Sequence, residues 1–220
     1  MKYIKKFNTA SEVVVYDPFN IVLVADTDTV LYNVPAMGIW VQHINGDLYS
    51  ADDWTVNGFS NEEANGVALI DAKAAFVIAK SDTSTSNWSD NENTLIEGAS
   101  AFTNKSDALS DYSGLANTEA VLNVDTGGVF GLCNQYIFPN GKNGYLPALG
   151  EYHLMYQNLA KINAAMSAIG GTQMKANYWS STQYDAEYAW RYMYGFDGNV
   201  YSDYEKWRNY YCGRPCTTIK

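Results

Sequence analysis

Apolar and polar positions follow two different periods along this chain, and the change from one to the other predicts its elements. Near the start, Val13, Val14 and Val15, then 21–24, then 30–32 are β-branched or aromatic runs divided by Asp17-Pro18-Phe19-Asn20 and Asp26-Thr27-Asp28-Thr29. Such divisions form turns, so residues 1–35 are expected to be a short separate β segment of two or three strands, closed by Pro35. In 38–49, Asn45-Gly46 stands between two strand-forming runs, and because both residues tolerate positive φ a tight hairpin is expected. Residues 67–70 and 74–79 predict another strand pair, and the Ser, Thr, Asn and Asp of 81–93 an exposed loop.

Residues 104–124 carry a weak helical period anchored by Leu115, Val121 and Leu122. A turn at Phe138-Pro139-Asn140-Gly141 precedes a clearer one: Leu149, Tyr152, His153 and Tyr156, then Leu159, Ile162, Met166 and Ile169, ending at Gly170-Gly171. Two helices over about 147–169, packed on a sheet, are predicted. From Tyr178 the helical period is lost, and 189–194 and 199–211 become aromatic-rich strand candidates separated by Phe196-Asp197-Gly198. The expected class is α+β.

Composition narrows the function. With 47% apolar and 17% charged residues, the 220-residue chain has a globular profile. Its net charge of -10 repels phosphate backbones and anionic headgroups, so no nucleic-acid partner is expected. No window approaches the roughly 20 apolar residues that cross a bilayer, and no apolar run of signal-peptide length follows Lys2, Lys5 and Lys6. No HExxH, GxSxG or phosphate loop occurs, and His43 and His153 lack ligand spacing, so no metal, no cofactor and no enzymatic activity are expected. On a strand, Cys212 and Cys216 would stand about 13 Å apart, too far for a disulfide. They read as small buried hydrophobes.

The outlier is aromatic placement: 178–211 holds 13 of the 32 aromatic residues, nine of them tyrosine. Over 201–211 no aliphatic side chain appears, so neither alternate face is an ordinary apolar face. Tyrosine with arginine, serine, asparagine and aspartate is the composition of binding surfaces. The predicted ligand-binding face is Asp185, Tyr188, Arg191, Tyr192, Tyr194, Asp197, Tyr201, Ser202, Asp203, Tyr204, Arg208, Asn209, Tyr210 and Tyr211.

Several segments, in order, carry a resemblance. Gly144-Tyr145-Leu146-Pro147-Ala148-Leu149-Gly150-Glu151, Tyr178-Trp179-Ser180-Ser181-Thr182-Gln183-Tyr184, Ala189-Trp190, Asp197-Gly198-Asn199-Val200 and Arg214-Pro215 resemble the landmarks of C-type-lectin-like domains of gut bacteria and their phages. That branch includes the variable proteins of diversity-generating retroelements. The match spans about 36–220 and implies a ligand-binding domain of small twisted antiparallel sheets and two packed helices, with a variable region at about 178–216. Trp179, Trp190 and Arg214, as shared landmarks, are assigned to the scaffold. Gly213 and Cys216 depart from it, standing where valines are usual.

The resemblance further implies diversification at asparagine codons, which yields Tyr, Asp, Ser, Arg, Phe or Asn but not Glu or Trp, so by that resemblance Glu187, Glu205 and Trp207 are expected to be fixed or to come from other codons. The resemblance implies a non-enzymatic protein on a phage tail tip that binds a host-cell receptor, protein or glycan, with residues 1–35 attaching or trimerising it. A bacterial surface adhesin on the same scaffold is the alternative. A formylglycine-generating-type oxidase using Cys212 and Cys216 is a further one, and the short spacing of the two cysteines counts against it.

Overall fold

The apolar runs of the first 35 residues pair with their neighbours in sequence. A computed structural model describes residues 3–6, 12–17, 20–25, 32–91, 93–194 and 199–219. It divides into two units, Met1–Gly38 with Ile70–Ala72, and Ile39–Leu69 with Lys73–Lys220. In the first, β1 (Tyr3–Lys6), β2 (Glu12–Asp17), β3 (Asn20–Ala25) and β4 (Tyr32–Pro35) form an antiparallel meander in that order. Four strands stand where two or three were expected. The addition is β1, whose Lys5 and Lys6 interrupt the apolar signal. The turn expected at 26–29, the start of the third run at Val30 and Leu31, and Pro18-Phe19 lie outside the described residues.

The second unit begins at Ile39, within β5 (Gly38–His43), which with β6 (Leu48–Tyr49) forms the hairpin expected around Asn45-Gly46. Its loop spans three residues, 44–46, closed by His43 N–H on the Asp47 carbonyl at 2.8 Å. The reason is local: the Asn45 carboxamide accepts from Asp47 N at 2.9 Å, and Gly46 alone of the pair takes positive φ, +104°. After α1 (Ala51–Asn57), capped by Ser50, come β7 (Ala64–Ile70) and β8 (Ala75–Ile78). Three short helices follow, α2 (Lys105–Ala108), α3 (Gly114–Leu122) and α4 (Gly128–Gln135). The expected helical pair is α5 (Leu149–Gln157) and α6 (Leu159–Ala168). The described residues thus hold six helices: α2 and α3 fall in the weak helical region expected over 104–124, α5 and α6 are the expected pair, and α1 and α4, unexpected, are two turns long, two of α4's eight residues being glycine.

The remaining strands are β9 (Asn177–Gln183), β10 (Tyr188–Met193), β11 (Asn199–Glu205) and β12 (Cys216–Thr218). One sheet runs β12-β8-β7-β5-β6, the other β11-β10-β9. The strand expected over 199–211 stops at Glu205. Ile162, Met166 and Ile169 of the α6 stripe are buried in the main core with Tyr152, Met155, Phe76 and Ile78. Replacing Ile162 by alanine is expected to cost about 2 to 5 kcal/mol, read as a fall in denaturant midpoint at constant m-value. No helix among the described residues is long and apolar enough to cross a membrane.

Candidate ligand-binding surface

The β9 segment explains why a polar strand can sit at the centre of the unit. Tyr178 to Gln183 are all buried, and each polar side chain from Ser180 to Gln183 has a partner. Ser180 Oγ donates to the Trp190 carbonyl (2.8 Å), Ser181 Oγ accepts from Asn117 Nδ2 (3.2 Å), and Thr182 Oγ1 donates to Asp111 (2.7 Å) while accepting from Leu149 N (3.0 Å). Gln183 Nε2 donates to the Ile96 and Ala99 carbonyls at 3.0 and 3.1 Å. The indoles of Trp88, Trp179 and Trp190 each donate to a backbone carbonyl, of Ser180, Ser86 and Phe102. The loop predicted as exposed over 81–93 therefore carries a fully buried tryptophan, Trp88, drawn in by β9.

One face of the three-stranded sheet lies on α5. Tyr178 stacks on Tyr152 with centroids 5.3 Å apart, Tyr194 meets Tyr178 edge-on at 5.2 Å, and Tyr194 Oη donates to the Tyr152 carbonyl. Tyr192 packs against Tyr156 and holds His153 Nδ1 through its hydroxyl at 2.9 Å. Tyr192 and Tyr194 were expected in the binding face; both are buried in an aromatic core instead. Strands lacking aliphatic residues can still form a core when rings face rings.

The opposite face presents Arg191. Along β10 and β11, Ala189 pairs with Tyr204 but Arg191 with Tyr201, so Ser202 and Asp203 together oppose Trp190 as a β-bulge. In regular alternation, residues three apart point to opposite faces; the bulge turns Tyr201 and Tyr204 to the same one. The Arg191 guanidinium lies 4.0 Å from the Tyr204 ring centroid, 5.1 Å from that of Tyr201 and 4.9 Å from that of Tyr211, and donates to the Tyr211 hydroxyl. Arg191 and Tyr211, expected as contacts, are themselves buried, at 6% and 8% exposure.

Beyond β11 the chain turns outward. Trp207 is 48% exposed, Tyr210 59% and Tyr201 37%, while Asn209 is exposed and Tyr204 half-buried. Arg208 pairs with Glu205, Nε to carboxylate 2.6 Å, and lies 4.7 Å from the Trp207 ring. Asp185 is half-buried and holds the β9–β10 turn, accepting from the amides of Glu187 and Tyr188, both at 2.8 Å. Tyr188 is half-buried; Asp197 lies outside the described residues, as do the side chains of Ser202 and Asp203. Trp207 is the exposed ring that sequence reasoning left out of the face, since the expected codon origin set it aside.

Lys206 fastens this outward turn. Its side chain is fully buried, Nζ donates to the Thr94 carbonyl (3.0 Å) and Gln183 Oε1 (2.9 Å), and Trp88 lies beneath at 4.7 Å. Burial pushes its pKa down to about 8, against the pull of Asp185.

Elsewhere, Glu151 is buried at the head of α5, accepting from Tyr145 Oη at 3.0 Å and from Ala148 N at 2.8 Å. Burial raises its pKa from 4.5 to about 8, with the two hydrogen bonds opposing. Across that interval the native state keeps a proton that the unfolded state has shed, so stability falls as pH rises from about 4.5 to about 8. Glu151→Gln, whose amide can donate to Tyr145 and accept from Ala148, is expected to flatten that slope in melts taken across the range.

Cys133, Cys212 and Cys216 are free and buried. Burial raises the Cys212 thiol to about 12, and those of Cys133 and Cys216 well above their ordinary value. Gly213, the departure from the usual valine, is required by close approach: a Cβ there would meet Cys133 Sγ at 2.6 Å and Val129 at 2.9 Å. No group of three or more His, Cys, Asp or Glu among the described residues could hold a metal ion.

No known protein family matches this sequence, and no curated protein matches it. In fold, the chain is similar to the crystal structure of a fimbrial protein from Bacteroides ovatus, with a TM-score of 0.60 at 12% identity. That likeness covers 94% of this chain and 57% of the fimbrial chain, so this chain spans little more than half of the protein it resembles.

Proposed function

We propose that this chain is a non-enzymatic ligand-binding protein of surface adhesion, built on a C-type-lectin-like scaffold. The observation that carries this is the exposure of the large rings Tyr201, Trp207 and Tyr210 on β11 and the segment after it, beside a strand, β9, whose polar side chains from Ser180 to Gln183 are each hydrogen-bonded inside. Several large rings left exposed within ten residues of one another are the anatomy of an interaction surface. The fimbrial protein of similar fold supports adhesion at a cell surface over a phage tail tip. Buried thiols with raised pKa values are poor nucleophiles, which supports binding over an oxidase. In this reading the partner is a receptor on a cell surface, protein or glycan, and residues 1–35 attach or trimerise the protein.

Diversification by a retroelement, resting on the sequence resemblance, is part of the proposal; a reverse transcriptase and a near-identical template beside the gene would support it. Binding is tested by applying the labelled full chain to printed glycan arrays and to arrays of cell-surface proteins, with the Tyr201→Ala/Trp207→Ala/Tyr210→Ala variant in parallel. Discrete signals lost in the variant are expected. Signals equal in both proteins, or none on either array, would overturn the reading.

A further inference from the structure

Arg191 has the residue type of a binding hot spot and the position of a buried one. It reaches no open surface, yet three rings surround its guanidinium within about 5 Å, and one of them, Tyr201, belongs to the exposed group. A second, Tyr204, continues outward to Tyr210, their centroids 6.0 Å apart. The third, Tyr211, is fixed edge-on to buried Trp179 at 5.1 Å and accepts from the guanidinium. The cation is thereby tied to the scaffold on one side and to the outward rings on the other.

We propose that Arg191 is a positioning residue: its guanidinium plane is the pedestal on which Tyr201 and Tyr204, and through Tyr204 the Tyr210 ring, are held in the geometry that a ligand meets. The inference rests on reading the exposed rings as the contact face. A tyrosine that must find its rotamer on binding loses affinity to ordering entropy, whereas one already stacked on a cation does not. The bulge at Ser202–Asp203 is what makes this arrangement available, since without it one of the two rings would face α5. An arginine suits the place for its flat, permanently charged head, which can meet several rings at once; a lysine ammonium offers a single point charge.

The test uses the full chain with ring-¹³C tyrosine, assigned through Tyr201→Phe, Tyr204→Phe and Tyr211→Phe. In Arg191→Met, the ring resonances of Tyr201, Tyr204 and Tyr211 are expected to move toward random-coil positions, while those of Tyr152, Tyr178 and Tyr194 on the α5 face stay in place. Arg191→Lys is expected to give the same pattern, and it carries the test alone if the methionine variant does not fold. Arg208→Met, which removes an outer cation, should leave Tyr201 and Tyr211 unmoved.

Unchanged rings, movement of every tyrosine together, or full restoration by lysine would each overturn the proposal. On a ligand found by the arrays, Arg191→Met is expected to weaken binding at least tenfold. If the rings collapse as expected but loss of Tyr201, Trp207 and Tyr210 leaves binding intact, the contact face is misplaced and the pedestal stands. If the rings do not move, the pedestal fails whatever the arrays show.

Discussion

Replacing Tyr201, Trp207 and Tyr210 together by alanine is expected to abolish ligand binding while moving the melting temperature little. Aromatic anchors at a contact contribute ~2 kcal/mol or more each, so three remove roughly four decades of affinity. Exposed substitutions usually stay within about 0.5 kcal/mol of stability apiece, and Tyr201, 5.1 Å from the Arg191 guanidinium, gives up a packing contact as well. The sequence alone would select Tyr201, Tyr204 and Tyr210 for this experiment. In the fold, Tyr204 lies 4.0 Å from the Arg191 guanidinium and against buried Tyr211, so its truncation would mix binding with packing. Trp207, at 48% exposure, gives the cleaner reading. Array binding and a thermal melt of the same preparation check both halves. An unfolded variant would place these rings in a core, and undiminished binding would remove them from the contact face.

Arg214→Ala is expected to cost about 3 to 5 kcal/mol of stability. Arg214 is fully buried; its Nε lies 2.6 Å from Asp82, Nη1 donates to the Ala79 carbonyl at 3.1 Å and Nη2 to the Thr172 carbonyl at 3.0 Å. Alanine leaves a carboxylate without its cation and two carbonyls without donors in the same stroke. Asp82 is pushed above the usual carboxylate range by burial, which Arg214 opposes, so the stranded acid would take up a proton more readily. Urea unfolding of Arg214→Ala and of the double variant with Asp82→Asn tests this: the double variant should recover part of the loss. Equal midpoints for wild type and Arg214→Ala would show that the ion pair contributes nothing.

The scaffold was legible in the sequence because its residues cannot be explained as surface. Trp179, Trp190 and Arg214, assigned to the scaffold from the sequence, are buried, and Ile162 to Ile169 keep the α6 period. What could not be read was which way the aromatic residues of 188–211 face. Alternation assigns sides only while register holds, and register shifts between Ala189 and Arg191 against both neighbouring strands. Tyr192 and Tyr194 thus went inward, where α5 supplies the rings of Tyr156 and Tyr152 to meet them. Trp88 went inward for a different reason, a carbonyl of β9 that needed a donor. Its loop is polar enough to look exposed, and only the far end of the chain shows what it covers. Gly213 is similar: the strand pattern gives no cause for a glycine there, and the cause lies in Cys133.

The pairing of β9 sets how fast the chain can find its shape. Its hydrogen bonds reach Trp88 across 92 residues of sequence and Asp111 across 71, while Trp190 reaches Phe102 across 88 and Arg214 reaches Ala79 across 135. Each closes a long loop before any local gain offsets the lost chain entropy. Short helices such as α5 can form early, but they have nothing to dock on until the distant loop arrives. Folding should therefore be slow for a chain of this length, with the aromatic strands waiting uncovered in the meantime. In that interval the exposed rings of 178–211 are open to self-association, so a cell making this protein has reason to keep its nascent chains dilute.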